Sequence, residues 1–380
     1  MKIGIVAGEK SGDYLGSELI KAFKLRYPEA EFVGLAGPLM QAQGASSLAE
    51  MDKISIMGVA GALKGLFSIL SIRKNIRQYM LEWQPDVFIG IDVPDFNLRL
   101  EIQLKEAGIP TVHYVSPTVW AWRGKRIVKI KRAVDLMLTL FPFEKTFYER
   151  HNTSVKYVGH PLAKQVLDWK VSASAKQAVS LKRGRLLIAI LPGSRMSEVS
   201  RLAPIMLNAC RELNQRYPDL QFVIPAASEK LQNYLVAELA NNVAPVDVIL
   251  GHSRDVLALS HLTVLASGTA ALEAALFAKP MVVMYKVDKF NEWYASRTME
   301  VEHFSMPNHL IKPPIVTELI QDNATSENMV REVSKLIDSP EAYQSMQSSL
   351  ATLAPMLSED SGELVCDAIE VLLNKRSGSI

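Results

Sequence analysis

The chain reads as an α/β protein built from two similar halves, each a parallel sheet wound with helices. Three observations point there. Short apolar runs recur along the chain and alternate with helical patterns, the signature of right-handed β-α-β crossovers. Two of these runs, Ile3–Ala7 and Leu186–Leu191, are each followed by a small-residue turn and a helix, so the second half opens as the first does. Finally, 380 residues exceed one typical domain, and a composition of 48% hydrophobic and 22% charged residues is that of a folded globular chain.

Charge and cysteine content exclude several classes. The net charge of +2 gives no global reason to bind nucleic acid. The two cysteines, Cys210 and Cys366, fit no disulfide or metal framework and suit a reducing compartment. The opening MKIGIVAGEKSGD has too short an apolar run for a signal peptide and reads as the first strand of a cytoplasmic domain.

In the first half, Ile3–Ala7 is a strand. Gly8 to Asp13 is a turn containing Ser11 and Gly12, and a helix runs from about Tyr14 to Leu25. A glycine–serine turn opening a helix can cradle an anion, although it is neither a P-loop nor a GxGxxG fingerprint. Phe32–Ala36 is the second strand. Residues 57–72, MGVAGALKGLFSILSI, carry one charge and precede Arg73, Lys74 and Arg77. At 16 residues the segment is shorter than the roughly 20 needed to span a bilayer. Two readings stand: a buried core helix, or an insertion into one leaflet through Leu63, Leu66, Phe67, Ile69 and Leu70 with a cationic rim.

Asp86–Ile91 is a buried strand running into Asp92-Val93-Pro94-Asp95, with a helix over Leu98–Ala107. Acids at the carboxyl end of a parallel strand stand where open α/β sheets bind their ligands. Asp92 is the candidate general base, a role worth about 10²–10⁴-fold in rate, or else a helix-capping or turn acid. Asp95 is the candidate helix cap. Thr111–Val115 is the next strand. Its His113 is either a buried partnered histidine or a site residue. Ser116 and Trp120 follow, and Trp120 with Trp122 forms either a sugar-stacking wall or a core corner. Residues 123–132, RGKRIVKIKR, hold six basic residues, a solvated helix face or a surface meeting phosphates. Val134–Leu140 and Val155–Val158 complete the half, the latter ending in Gly159-His160-Pro161.

A polar stretch from about 168 to 185 reads as the linker. The expected division is 1–170, 186–345 and a C-terminal region 346–380, whose last helix returns to the first half. In the second half, Gly193-Ser194-Arg195 and Ser267-Gly268-Thr269 both end strands and open helices. Backbone N–H groups at two helix starts, with one arginine able to bind in a fork, suit a diphosphate without a metal. Glu273, one turn past Thr269, either accepts two sugar hydroxyls or is a satisfied polar residue of an ordinary capped, buried helix.

The segments VAGEKSGD, GIDVPDFN, HYVSPTVWAWR, FPFEK, LPGSR, ASGTAALE and SMPN, in that order, closely resemble the bacterial lipid-A-disaccharide synthase family over essentially the whole chain. The resemblance implies a GT-B glycosyltransferase, with two Rossmann-like domains facing across a cleft. The implied reaction moves 2,3-diacylglucosamine from its UDP conjugate onto the 6-hydroxyl of 2,3-diacylglucosamine 1-phosphate, with inversion. It makes Asp92 the base. It assigns Gly193, Ser194, Arg195, Ser267, Gly268 and Thr269 to the diphosphate, Glu273 to the ribose, and Asn308 of SMPN to the neighbourhood of the nucleotide. On the acceptor side stand Ser11, Gly12, His113, Ser116 and Trp120. No metal or other cofactor is expected. The implied partners are the two acylated sugars and the inner-membrane surface, bound peripherally from the cytoplasm, with a homodimer compatible. Because both substrates are acylated, the resemblance favours the interfacial reading of residues 57–72. Phe141 departs from the leucine expected in LPFEK, and Pro161 from a threonine. The competing readings are a UDP-N-acetylglucosamine 2-epimerase on the same fold and a non-enzymatic ligand-binding protein.

Overall fold

The computed structural model describes residues 1–51, 62–121, 124–182, 184–242, 244–288 and 302–377. Two compact units emerge: residues 1–161 with 357–380, and residues 162–356.

The first unit is a seven-stranded parallel sheet in the order β3-β2-β1-β4-β5-β6-β7. The strands are β1 Lys2–Ala7, β2 Glu31–Leu35, β3 Ala45–Ser47, β4 Val87–Ile91, β5 Thr111–Tyr114, β6 Leu136–Thr139 and β7 Val155–Tyr157. The central strands are buried apolar runs, as a sheet covered on both faces requires. The chain winds outward in both directions from β1 and β4, whose register pairs Ala7 with Ile91. The topological switch point therefore lies at their carboxyl ends.

Helix α1 covers Lys10–Arg26, starting four residues earlier than its sequence pattern suggested. Ser11 and Gly12 consequently lie inside its first turn. Asp13 there is buried, and its carboxylate accepts from the backbone N–H groups of Leu39 and Met40, both at 3.0 Å, capping the short helix α2 (Pro38–Ala42). Helix α3 spans Ala62–Trp83 and α4 spans Pro94–Glu106. Asp95 sits within the first turn of α4 and ion-pairs with Arg126; the position ahead of that helix belongs to Val93. Helices α5 (Ile127–Ala133) and α6 (Pro142–Arg150) follow.

The second unit repeats the plan with six parallel strands in the order β10-β9-β8-β11-β12-β13. These are β8 Leu186–Leu191, β9 Leu220–Ala226, β10 Val246–Leu250, β11 Leu262–Ala266, β12 Met281–Tyr285 and β13 Thr317–Ile320. Here the switch point lies between β8 and β11, where Leu191 pairs with Leu265. Helices α7 (Met196–Arg216), α8 (Ser253–Leu259) and α9 (Thr269–Leu276) border that end.

The division falls at Pro161/Leu162, ahead of the polar stretch read as a linker. That stretch is built in. Residues 173–179 are helical, and Trp169 Nε1 and the Ser172 hydroxyl both donate to Asp255. Residues 346–356 belong to the second unit. The return to the first begins at Leu357, and helix α10 (Ser361–Ser377) packs on α1. Arg26 of α1 meets three of its acids: Glu363, Asp367 at 2.6 Å and Glu370 at 3.0 Å.

Candidate functional site

The carboxyl end of the first sheet carries unusual backbone. Asp92 and Val93, directly after β4, both have positive φ (53° and 42°), and Val115, after β5, has φ 81°. Left-handed conformations are uncommon for non-glycine residues and rarer for β-branched ones, and each costs on the order of 1–3 kcal/mol. Something must hold the turn in place. The Asp92 N–H donates to the Tyr114 carbonyl at 2.9 Å. The fully buried Asn97 donates through Nδ2 to the carbonyls of Asp92 (2.8 Å) and Ile91 (3.2 Å). Asp92 is left partly exposed at the switch point.

The acceptor-side residues separate. His113 is completely buried, its Nδ1 2.7 Å from Glu101 of α4, which is buried too. It is an interior residue of the sheet and offers no surface to a substrate. Burial raises the pKa of Glu101, and His113 partly opposes the rise. Ser116 is also buried, bonded to the Pro117 carbonyl and the Tyr148 hydroxyl, both at 2.9 Å. Trp120 donates to Glu144 at 3.1 Å and meets the Phe143 ring edge-on at 4.8 Å, the arrangement of a packed corner. Trp122 lies outside the described residues. Glu144 is enclosed, and burial lifts its pKa to about 8. Gly12 packs against the ends of β1 and β4: a Cβ there would stand 3.3 Å from the Ala7 Cβ. Ser11 is exposed.

In the apolar segment, Ile72, Ile76 and Met80 of α3 are buried against Phe96, Leu100 and Leu104 of α4, and Ile69 packs on the same cluster. Ile69 therefore belongs to the core, contrary to its assignment as a lipid-facing residue. Phe67 is 72% exposed and Leu70 37%. Residues 57–61 and the side chains of Leu63 and Leu66 fall outside the described residues. No helix among the described residues is long and apolar enough to cross a membrane.

In the second unit the two small-residue turns converge. A cavity of about 240 Å³ is lined by Arg195, Glu198, Arg201, Ser267, Tyr285 and Lys286, among others. Gly193 takes φ 126°, and Gly268 takes φ 154° with ψ −155°, regions essentially reserved for glycine. Glu198 Oε2 accepts from the N–H groups of Ser194 (3.0 Å) and Arg195 (3.3 Å), so those amides already hold a carboxylate. The Arg195 side chain is 78% exposed and reaches Glu198 at 3.2 Å. Arg201 pairs with Asp288 at 3.4 Å. The α9 N-terminus has no side-chain cap, and Thr269 is exposed. Three cations, Arg195, Arg201 and Lys286, and two acids, Glu198 and Asp288, thus line one cavity beside two helix starts. Glu273 is only 14% exposed and is paired with Arg254 of α8 at 2.9 Å; the same guanidinium reaches Gln165 and lies over the Trp169 ring.

Asn308 is placed differently from its expectation. It is buried, its Nδ2 donates to the Val316 carbonyl and Glu318, and its Oδ1 accepts from the N–H groups of Ile315 and Val316. No hydrogen-bonding capacity is left for a nucleotide. Glu318 also accepts from Phe304 and Ser305, and the Phe304 carbonyl receives the Ser267 hydroxyl at 2.7 Å. The SMPN loop thus braces the Ser267 turn from behind. Arg201, Lys286 and Arg254 were not singled out in the sequence. Lys286 follows directly on β12, so the strand-end rule points to it; Arg201 and Arg254 carry no such signal.

Two units, each a parallel sheet wound with helices, define a chain of the GT-B fold class. Solved structures with this fold include a Staphylococcus aureus MnaA–UDP complex (TM-score 0.66, 15% identity, covering 98% of this chain and 97% of that one). Another is the Neisseria meningitidis UDP-GlcNAc 2-epimerase bound to UDP-GlcNAc (TM-score 0.65, 15% identity, 98% and 100%). At such identities the likeness concerns the fold alone. Sequence is decisive: the profile of the lipid-A-disaccharide synthetase family matches residues 3–361. The Lipid-A-disaccharide synthase of Vibrio parahaemolyticus is 41% identical over 377 residues, covering 99% of both chains. That of Aeromonas hydrophila is 44% identical over 340, covering 89% of this chain and 90% of its own. The chain belongs to this family, whose members are glycosyltransferases of lipid A biosynthesis, and the epimerase alternative is not favoured.

Proposed function

We propose that the chain transfers 2,3-diacylglucosamine from UDP-2,3-diacylglucosamine to the 6-hydroxyl of 2,3-diacylglucosamine 1-phosphate in one inverting displacement. The observation that carries the reading is the strained Asp92-Val93 turn at the switch point of the first sheet, in a chain of this family. A carboxylate held in a costly conformation by Tyr114 and Asn97 is a positioned base.

In the reaction, Asp92 takes the proton of the acceptor 6-hydroxyl. The oxygen attacks the anomeric carbon of the donor, and the bond from that carbon to the diphosphate oxygen breaks. UDP leaves with the electron pair. Its charge is received by the amides of Gly268 and Thr269 at the start of α9 and by Arg195, Arg201 and Lys286 around the cavity; the Ser194 and Arg195 amides join them once the diphosphate displaces Glu198. These fixed dipoles and cations supply the stabilisation a metal ion would otherwise give. Glu273, steered by Arg254, accepts the ribose hydroxyls. Peripheral docking on a phospholipid surface uses Phe67, Leu70 and Val128, exposed apolar side chains on helices that also carry cations.

Incubation with both acylated substrates should release UDP with wild type. Asp92→Ala should lower kcat by about 10²–10⁴-fold, and Arg195→Ala should slow UDP formation. Near-full turnover by Asp92→Ala refutes the base assignment. Replacing Phe67 and Leu70 with serine should free the protein from phospholipid vesicles without unfolding it. Retained vesicle binding removes the docking assignment.

A further inference from the structure

Helix α4 is packed along two stripes. Phe96 and Leu100 meet Ile72 and Ile76 of α3, while Leu98 meets Ile127 and Ile130 of α5. Arg99 lies between the stripes and is exposed. Arg73 follows Ile72 on α3, and Arg126 and Lys129 flank Ile127 at the start of α5; all three are half-buried. The packing of three helices thus brings four cations around one ridge.

Their mutual influence is visible in their protonation. Burial pushes the pKa of Arg73 down, and the Arg99 charge adds to it. Lys129 is lowered by burial first and then by Arg99, Arg126 and Arg73, with Asp95 opposing. The acids within reach are Asp95, ion-paired with Arg126, and Glu101, whose buried carboxyl faces His113. Among the described residues none forms an ion pair with Arg73, Arg99 or Lys129. Like charges held together in partly desolvated surroundings repel, and an anion placed among them relieves the repulsion.

We propose that Arg73, Arg99, Arg126 and Lys129 form the seat of the acceptor's 1-phosphate. The inference rests on the transfer reaction proposed above and adds a subsite to it. The 6-hydroxyl hangs from C5 through C6 and the 1-phosphate from C1, and C5 and C1 are the two carbons that flank the ring oxygen, so both groups lie within one sugar ring of each other and within the reach of an arginine side chain. Asp92 precedes α4 and Arg99 lies in its second turn, a separation of about one to two helical turns of 5.4 Å each. Arginine forks bind phosphate oxygens in pairs, and partial burial protects those contacts from screening by salt. Phospholipid headgroups offer the same phosphate chemistry, and the test separates the two sources.

The test is a comparison of two acceptors, with and without the 1-phosphate, in neutral detergent micelles that present no anionic lipid. UDP release by the full chain is measured for wild type, Arg99→Ala, Lys129→Gln and the charge-retaining Arg99→Lys. Wild type should prefer the phosphorylated acceptor. Arg99→Ala and Lys129→Gln should each lower kcat/KM for it by about tenfold or more, the loss of one charge-assisted contact. Turnover of the unphosphorylated acceptor and KM for the donor should stay as they are, and Arg99→Lys should recover part of the loss. Equal losses on both acceptors, or none, overturn the proposal. So does a defect confined to binding of anionic phospholipid vesicles, which assigns the cations to lipid headgroups. Wild type that releases no UDP with either acceptor overturns the parent reaction, and this subsite with it.

Discussion

Replacing Asn97 with alanine tests how Asp92 is held. Asn97 is fully buried on α4, and its Nδ2 donates to the carbonyls of Asp92 and Ile91 at 2.8 and 3.2 Å. Leaving buried acceptors unpartnered costs about 1–3 kcal/mol each. The two adjacent left-handed residues store roughly 1–3 kcal/mol apiece that the remaining contacts must then contain. The expected loss of stability is about 2–4 kcal/mol, or on the order of 5–15 °C in the melting transition of a unit this size. A turn that relaxes displaces Asp92, and a misplacement of about 1 Å costs about 10²-fold in rate. The assay is steady-state UDP release beside a urea melt. kcat should fall about 10²-fold, while KM for the donor, whose contacts lie in the second unit, should not move. Asn97→Asp, which presents an oxygen to both carbonyls, should do no better than alanine. Turnover within about threefold of wild type in a clearly destabilised Asn97→Ala would refute the reasoning: the carboxamide would then matter to the fold and not to Asp92.

Three further outcomes are expected. Arg254→Ala frees Glu273 from its 2.9 Å partner and should raise KM for the donor about three- to tenfold with kcat little changed; an unmoved KM separates Glu273 from the ribose. Asn308→Ala should weaken the fold, because its four hydrogen bonds are all internal; a raised donor KM at unchanged stability would restore it as a nucleotide contact. Two buried groups give opposite pH slopes. Glu144 is raised from 4.5 to about 8 by burial, so the folded chain holds its proton longer than the unfolded one. Its contribution is full below about 4.5 and is lost as pH rises to about 8. His160 is lowered from 6.5 to about 4, again by burial, so stability is lost as pH falls from about 6.5 to about 4. Urea melts across pH 4–8 should show Glu144→Gln flattening the first slope and His160→Asn the second; unchanged slopes would reject the assignment.

Most of the sheet was legible because its central strands are unbroken apolar runs, from Ile3–Ala7 to Met281–Tyr285. The strands Ala45–Ser47 and Thr317–Ile320 were not, since they lie at sheet edges, are short and carry polar residues. Glycine turns marked the sites because only glycine takes the backbone found at Gly193 and Gly268. Side-chain roles were harder. A polar residue in a loop motif, such as Asn308, reads alike whether it faces a ligand or staples the loop. His113 alternates along a strand whose two faces are both covered, so the pattern cannot say that its ring is enclosed. Ile69 shares its segment with Phe67 and Leu70, and only the position of α4 divides them between core and surface.

The closure of α10 on α1 has a consequence in time. The second unit is one uninterrupted stretch, residues 162–356, and every strand of its sheet has been synthesised once residue 320 is made. The first unit begins before that stretch but is finished only by residues that follow it. Arg26 meets its three acids only after residue 370 has been synthesised, and Ala22 waits equally long for Gly362. Domains usually fold in the order in which they are made. Here the later-made unit can be complete first, and the earlier one stays open along α1 until α10 has been made.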